Sequence, residues 1–95
     1  MELEFSGEVV EWRGPAPHHF VVVPEAEAAR IHEVARLATY GWGCIPVTGR
    51  LGESDFTTSL FPKDGGYLVP LKVAVRRRED VHLGDTVTLR IALDV

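Results

Sequence analysis

The chain contains no asparagine and no glutamine, and only two of its 10 basic residues are lysines, Lys63 and Lys72. Loss of thermolabile amides is typical of thermophilic proteins. Codon bias in a GC-rich genome would produce the same composition, so a thermophile-like origin and a compositional bias are both open explanations.

Cysteine is also scarce, because Cys44 is the single thiol and no disulfide within the chain is possible. A secreted domain of this size usually carries several disulfides. Residues 1–5 lack the apolar run of a signal peptide. No segment approaches the roughly 20 apolar residues that span a bilayer. We therefore expect a soluble, cytoplasmic protein with no membrane partner.

An excess of basic residues is lacking as well, since the formal net charge is −4, from 14 acidic and 10 basic residues. Non-specific nucleic-acid binders carry a positive excess, so the composition disfavours that class but still allows a local basic patch. The length predicts one domain over residues 1–95, and the hydrophobic content of 45% is that of a globular protein.

The apolar pattern predicts about six strands and two helices. Strand patterns cover about residues 3–12, 18–23, 44–50, 56–61, 67–69 and 86–95. Apolar residues at three- and four-residue spacing predict the main helix over about residues 24–39. Segment 71–78 alternates like a strand, although Pro70 before it favours a short helix. Because so few crossover helices are available, we predict a mainly β, mostly antiparallel small barrel or sandwich.

Three positions carry more specific structural predictions. Gly7 is expected to interrupt or bulge the first strand, and Pro46 to place the third strand at an edge or irregular position. The apolar run 20–23 is typical of a strand covered on both faces.

The same order of features occurs twice along the chain. An aromatic residue, an apolar run, a proline, a helix, a glycine turn and a strand follow one another from residue 20 and again from residue 67. An internal duplication would give two strand–helix–strand halves interlocked about a pseudo-two-fold axis. Identity between the halves is weak, so coincidence is the alternative.

Two groups of residues are candidates for ligand binding. Lys72 and Arg76 would share one helix face at i, i+4 spacing, near the hydroxyls of Thr57, Thr58 and Ser59 on a neighbouring strand. Such a set suits a phosphate or carboxylate. An ordinary solvated face or a salt bridge explains the same residues. Trp42 lies between two glycines and could present its indole to a ligand. It could equally close the end of the barrel.

No catalytic, metal or cofactor site is predicted. The adjacent His18 and His19 would point to opposite faces of a strand, and no zinc-type spacing is present. Cys44 has no sequence signature of an activating base and is interpreted as a structural thiol. Asp55 and Asp64 are not supported as acid–base catalysts, because both stand at turns, where aspartate is common.

Several motifs recur in one known family. The most specific are Gly41-Trp42-Gly43-x-Ile45-Pro46-Val47-x-Gly49 and Phe56-x-Thr58-Ser59-Leu60-x-Pro62, followed by Tyr67-Leu68-Val69-Pro70-Leu71-Lys72 and Gly84-Asp85-x-Val87. With these motifs the chain resembles Domain of Unknown Function 1905 over nearly its whole length. The resemblance implies a double-split β-barrel and no established activity. Dimeric bacterial transition-state regulators and antitoxins that bind DNA share this barrel type, and their half-motif looks like residues 70–87.

Three functional hypotheses follow, in order of preference. The first is a binding module for a small anionic ligand or a protein partner, using Trp42, Thr58, Ser59, Lys72 and Arg76. The second is a nucleic-acid binder by analogy with the regulator barrels, using the three consecutive arginines, Arg76, Arg77 and Arg78. The third and least favoured is an enzyme, because no nucleophile–base pair or metal set is visible. The sequence leaves open whether the protein is a monomer or a homodimer.

Overall fold

A computed structural model describes residues 1–12, 18–38 and 44–94, with the backbone alone for residues 36–38. The elements in chain order are β1 (Glu2–Trp12), β2 (His18–Val22), α1 (Glu25–Ala38), β3 (Ile45–Leu51), β4 (Ser54–Lys63), β5 (Gly66–Leu71), α2 (Val73–Arg78) and β6 (Thr86–Leu93). The mainly β class and both helices are confirmed. Segment 71–78, which suited either a strand or a helix, contains the end of a strand and a helix. Leu71 ends β5, and Lys72 is the N-cap of α2.

The six strands form a closed antiparallel barrel in the order β1–β2–β5–β4–β3–β6, which confirms the predicted barrel. Two long strands each pair with two neighbours. Residues 2–8 of β1 pair with β6 and residues 9–12 with β2. Residues 54–60 of β4 pair with β3 and residues 61–63 with β5. The order is symmetric: if β1, β2 and β3 change places with β4, β5 and β6, respectively, the same pairs of strands are neighbours.

Gly7 lies within β1, two residues before Val9, where the pairing partner of the strand changes from β6 to β2. It does not interrupt the strand, and this corrects the prediction. A Cβ atom at this position would lie 2.5 Å from the carbonyl oxygen of Val22 and 2.8 Å from a methyl group of Val21. The glycine is needed because β2 approaches the backbone of β1 closely here.

β3 is not an edge strand, because it pairs with both β4 and β6. Pro46 nevertheless has a strand partner on one side only, which agrees with the predicted irregular position. Pro46 lies opposite Ser59 of β4, whereas the pairing with β6 begins one residue later, at Val47. Proline has no N–H group to donate to a ladder. The closed barrel accommodates it because the β6 ladder does not reach this residue.

Two glycine-containing turns join neighbouring strands. Asp64 and Gly65 form a two-residue loop between β4 and β5, and their φ angles of 50° and 80° match a type I′ hairpin. Gly52 and Glu53 connect β3 to β4, with a φ angle of 60° at Gly52. A further glycine turn, at residues 83–85, precedes β6 and has a φ angle of 87° at Gly84.

The barrel interior and the helices share one core. Ala28 and Ile31 of α1 and Val75 of α2 belong to the same buried cluster as the inward residues of the strands. The prediction that residues 20–23 are covered on both faces is only partly correct. On the outer face of β2, Phe20 is buried but Val22 is exposed. β2 is therefore not covered on both faces along its whole length.

Candidate functional site

A cleft of about 740 Å³ lies between α2 and the outer face of β3, β4 and β6. We name it the basic cleft. The polar and charged side chains that line it are Glu2, Thr48, Arg50, Asp55, Thr57, Lys72, Arg78 and Arg90. Four cations thus meet two carboxylates, in a chain with an excess of acidic residues.

Two of the four cations are brought together by strand register. Arg50 of β3 lies directly opposite Arg90 of β6, an arrangement that is unfavourable for like charges. Each arginine has a carboxylate on its other side. An Arg50 nitrogen lies 2.9 Å from an Asp55 oxygen, and Arg90 Nε lies 3.3 Å from Glu4 Oε1. The row across four strands is therefore carboxylate, guanidinium, guanidinium, carboxylate.

The other two cations are Lys72 and Arg78, which stand at the two ends of α2. Neither forms an ion pair or a side-chain hydrogen bond with the described part of the chain. Both residues are exposed. They are the charges of the cleft that are available to an incoming anion.

The local sequence explains how α2 holds these cations at the cleft. Lys72, the N-cap of α2, has extended backbone angles, with φ −69° and ψ 150°, and its side chain makes no capping hydrogen bond. Val75 is buried and anchors the helix to the core. At the other end, Glu79 accepts a hydrogen bond from the buried hydroxyl of Ser54, at 2.5 Å.

The structure disperses the other residues predicted for this site. Thr58 and Ser59 are half-buried on β4 opposite Val47 and Pro46, and neither lines the basic cleft, whereas Thr57 does. Arg76 is half-buried, with Nε donating to the carbonyl of Leu71 at 3.4 Å, and it does not line the cleft either. Trp42 lies outside the described residues.

Sequence reasoning missed Arg50, Arg90 and Thr48, and it assigned Arg78 to the nucleic-acid alternative. The available signal was the position of Thr48, Arg50 and Arg90 on the polar faces of alternating strands. That signal marks a solvent-facing side chain. It does not reveal which strands become neighbours.

A second cleft, of about 840 Å³, lies where α1 approaches the ends of β1 and β2 and the hairpin between β4 and β5. We name it the aromatic cleft. Its aromatic and larger apolar lining residues are Val10, Trp12, Phe20, Val22, Val23, Tyr67 and Leu68. His32 of α1 also lines it. Its Nε2 lies 2.9 Å from the carbonyl oxygen of Gly65, and its ring lies 5.1 Å from that of Tyr67.

Burial raises the pKa of the Tyr67 phenol above its ordinary value of 10.0. The unfolded chain therefore loses this proton first, so the stability that depends on it is lost as pH rises above about 10. We expect the urea midpoint to fall less steeply with pH in Tyr67→Phe than in the wild type above about pH 10. Equal slopes for the two proteins would contradict this assignment.

The remaining histidines and the thiol do not assemble into a metal site. His18 is exposed, with its ring 6.2 Å from that of Phe20. His19 is half-buried, and His82 Nε2 lies 2.9 Å from an oxygen of Asp80. Within residues 1–12, 18–38 and 44–94, no three metal-ligating side chains come together.

Comparison with known families shows which family the chain belongs to. The family model described as a domain of unknown function, DUF1905, matches residues 5–91. The chain belongs to this family. No curated protein sequence matches it. Within this DUF1905 domain the matched range includes Lys72, Arg78, Arg50 and Arg90 of the basic cleft. Among the described residues, no helix is both long enough and apolar enough to cross a membrane.

Proposed function

We propose that this DUF1905 domain is a binding module for a small anionic ligand, which it takes up in the basic cleft. The observation that carries the proposal is the presence of Lys72 and Arg78 without carboxylate partners in the described chain, beside the opposed pair Arg50 and Arg90. An anion in the cleft would relieve the repulsion among these cations.

The chemistry of the cleft suits phosphate or carboxylate groups. The planar guanidinium of Arg78 can donate two parallel hydrogen bonds to either group, while Lys72 supplies a compact charge. Thr48 and Thr57 add hydroxyl donors on neighbouring strands. The cleft volume of about 740 Å³ is within the range that holds small molecules.

The nucleic-acid alternative depends on Arg76, Arg77 and Arg78. Arg77 and Arg78 are exposed, but the half-buried Arg76 directs its Nε towards the Leu71 carbonyl. The carboxylates of Glu2 and Asp55 also line the basic cleft and would repel an extended phosphate backbone. We therefore place a small anion ahead of DNA.

Calorimetric titration with inorganic pyrophosphate and with citrate tests the proposal. Charged hydrogen bonds contribute about 1.5–3 kcal/mol each, so Lys72→Met and Arg78→Met should each weaken binding by about tenfold or more. Arg77→Met is the matched control, because this neighbouring exposed arginine does not line the cleft. Circular dichroism should show all three variants folded.

Three outcomes would overturn the proposal. The first is that neither anion binds the wild-type domain. The second is that Arg77→Met weakens binding as much as Arg78→Met does. The third is that only a short DNA duplex binds, with an affinity that falls steeply as salt rises, which would favour the nucleic-acid alternative. Failure of every ligand to bind would favour a protein partner instead.

The symmetry of strand pairing supports an internal duplication. β2 pairs with β5 and β3 pairs with β6, so equivalent strands of the two proposed halves lie side by side. The long strands β1 and β4 occupy equivalent positions, each pairing with one strand of each half. We infer that the repeated order of features reflects two interlocked strand–helix–strand units. The helices differ in length, with 14 residues in α1 and six in α2.

A further inference from the structure

The outer face of the sheet formed by β1, β2, β5 and β4 carries a row of apolar side chains separate from the barrel core. Val22 of β2, Leu68 of β5 and Phe61 of β4 are cross-strand neighbours. Phe20 and Leu68 are buried but lie outside the core cluster. Trp12, Val22 and Phe61 are 41%, 42% and 39% exposed, so much of this face is open to solvent.

Trp12 stands at the centre of an aromatic group on this face. Its ring centroid lies 6.0 Å from that of Phe20, with the planes tilted by 47°. It lies 5.9 Å from the ring of Phe61 in an edge arrangement, at 68°. A cation also lies over the indole ring. The Lys63 ammonium nitrogen lies 4.4 Å from the centroid of the Trp12 ring.

The charge around the aromatic cleft favours cations. Glu25 and Asp64 line it, and Lys63 is the only lysine or arginine among the described lining residues. This balance is opposite to that of the basic cleft. Carboxylates around an apolar, aromatic surface attract a positive charge, and the indole face then holds it through its quadrupole.

We propose that the aromatic cleft binds a small alkylated ammonium ion against Trp12, and that the ligand displaces Lys63 from the indole. A primary ammonium is strongly hydrated, whereas alkyl groups spread the charge and can contact Phe20, Val22 and Leu68. The cleft volume of about 840 Å³ leaves room for such a ligand beside the aromatic rings. This proposal is independent of anion binding in the basic cleft.

The test compares choline with its neutral isostere 3,3-dimethyl-1-butanol, using nuclear magnetic resonance titration of the Trp12 indole N–H signal. The signal is assigned by its loss in Trp12→Phe. Choline should shift it with millimolar affinity, and the isostere should bind at least about twofold more weakly. Lys63→Met keeps the apolar stem and removes the competing charge, so it should bind choline about two- to fivefold more tightly than the wild type.

The gain of affinity in Lys63→Met separates a ligand site from a merely structural contact, because loss of a stabilising contact alone would not improve binding. Lys72→Met in the basic cleft is the matched control and should leave choline affinity unchanged. The proposal is wrong if the isostere binds as well as choline, if choline leaves the Trp12 signal in place, or if Lys63→Met binds choline no better. The Lys63 variant keeps the test decisive even if Trp12→Phe folds poorly.

Discussion

Replacing Gly52 by alanine is expected to destabilise the domain by about 2–5 kcal/mol. The φ angle of 60° at Gly52 costs an L-residue about 1–2 kcal/mol. The added Cβ would also overlap the carboxylate of Glu79. That carboxylate accepts the hydrogen bond of the fully buried Ser54 hydroxyl, and leaving such a group unsatisfied costs about 1–3 kcal/mol.

Gly65→Ala separates the cost of the positive φ angle from the cost of the contact with Glu79. Gly65 has a φ angle of 80°, but no atom lies within 4 Å of the added Cβ. Urea unfolding should show a loss of about 1–2 kcal/mol in Gly65→Ala, clearly smaller than that in Gly52→Ala. In a Ser54→Ala background the cost of Gly52→Ala should shrink, since no hydroxyl is left unsatisfied. Equal losses at the two glycines would show that the contact with Glu79 is unimportant.

The same contact ties the turn between β3 and β4 to the basic cleft. Glu79 is the C-cap of α2, the helix that carries Arg78 and follows Lys72. Displacing Glu79 releases the end of this short helix from Ser54. We therefore expect any anion affinity of the cleft to fall more in Gly52→Ala than in Gly65→Ala.

Features encoded by neighbouring residues were predictable from the sequence. The apolar spacing of α1 and the Asp64-Gly65 hairpin each depend on a few adjacent positions, and both agree with the structure. The limits of α2 were harder to predict because Leu71, Val73 and Val75 suit either a strand or a helix. The backbone resolves this by changing conformation at Lys72.

The basic cleft was only partly predictable, because it is assembled by register between distant strands. Arg90 and Glu4 are 86 positions apart in the chain. A shift of one residue in the pairing of β3 with β6 would move Arg50 to the other face. Local patterns identified Lys72 as a binding candidate near the hydroxyls of residues 57–59 on β4, and of these three residues only Thr57 lines the cleft.

The aromatic cleft was missed because hydrophobic residues are usually assigned to the core. The run from Phe20 to Val23 predicted a strand buried on both faces, whereas Val22 and Phe61 are partly exposed on the outside of the barrel. Periodicity shows which residues share a face of a strand. It does not show whether another element covers that face.

Gly49→Ala is expected to destabilise the domain by about 1–3 kcal/mol or more, because it overfills a packed site. Gly49 lies opposite Phe56 across β3 and β4, and a Cβ atom there would overlap the Phe56 ring. The ring is buried in the barrel core and cannot move freely. Gly66→Ala is the matched control, since the nearest atom beyond its two chain neighbours, the Lys63 carbonyl oxygen, would be 3.8 Å from the added Cβ.

Phe56→Leu provides the decisive second variant. If the ring is the obstacle, Gly49→Ala should cost less in the Phe56→Leu background, with a coupling of about 0.5–3 kcal/mol in urea unfolding. Strict additivity would mean that the ring does not limit this position.

Gly49 and Phe56 also line the basic cleft, so the variants change the floor of the cleft without changing a cation. Pyrophosphate affinity retained in the folded double variant would show that the charged residues, rather than the exact shape of the cleft floor, determine anion binding.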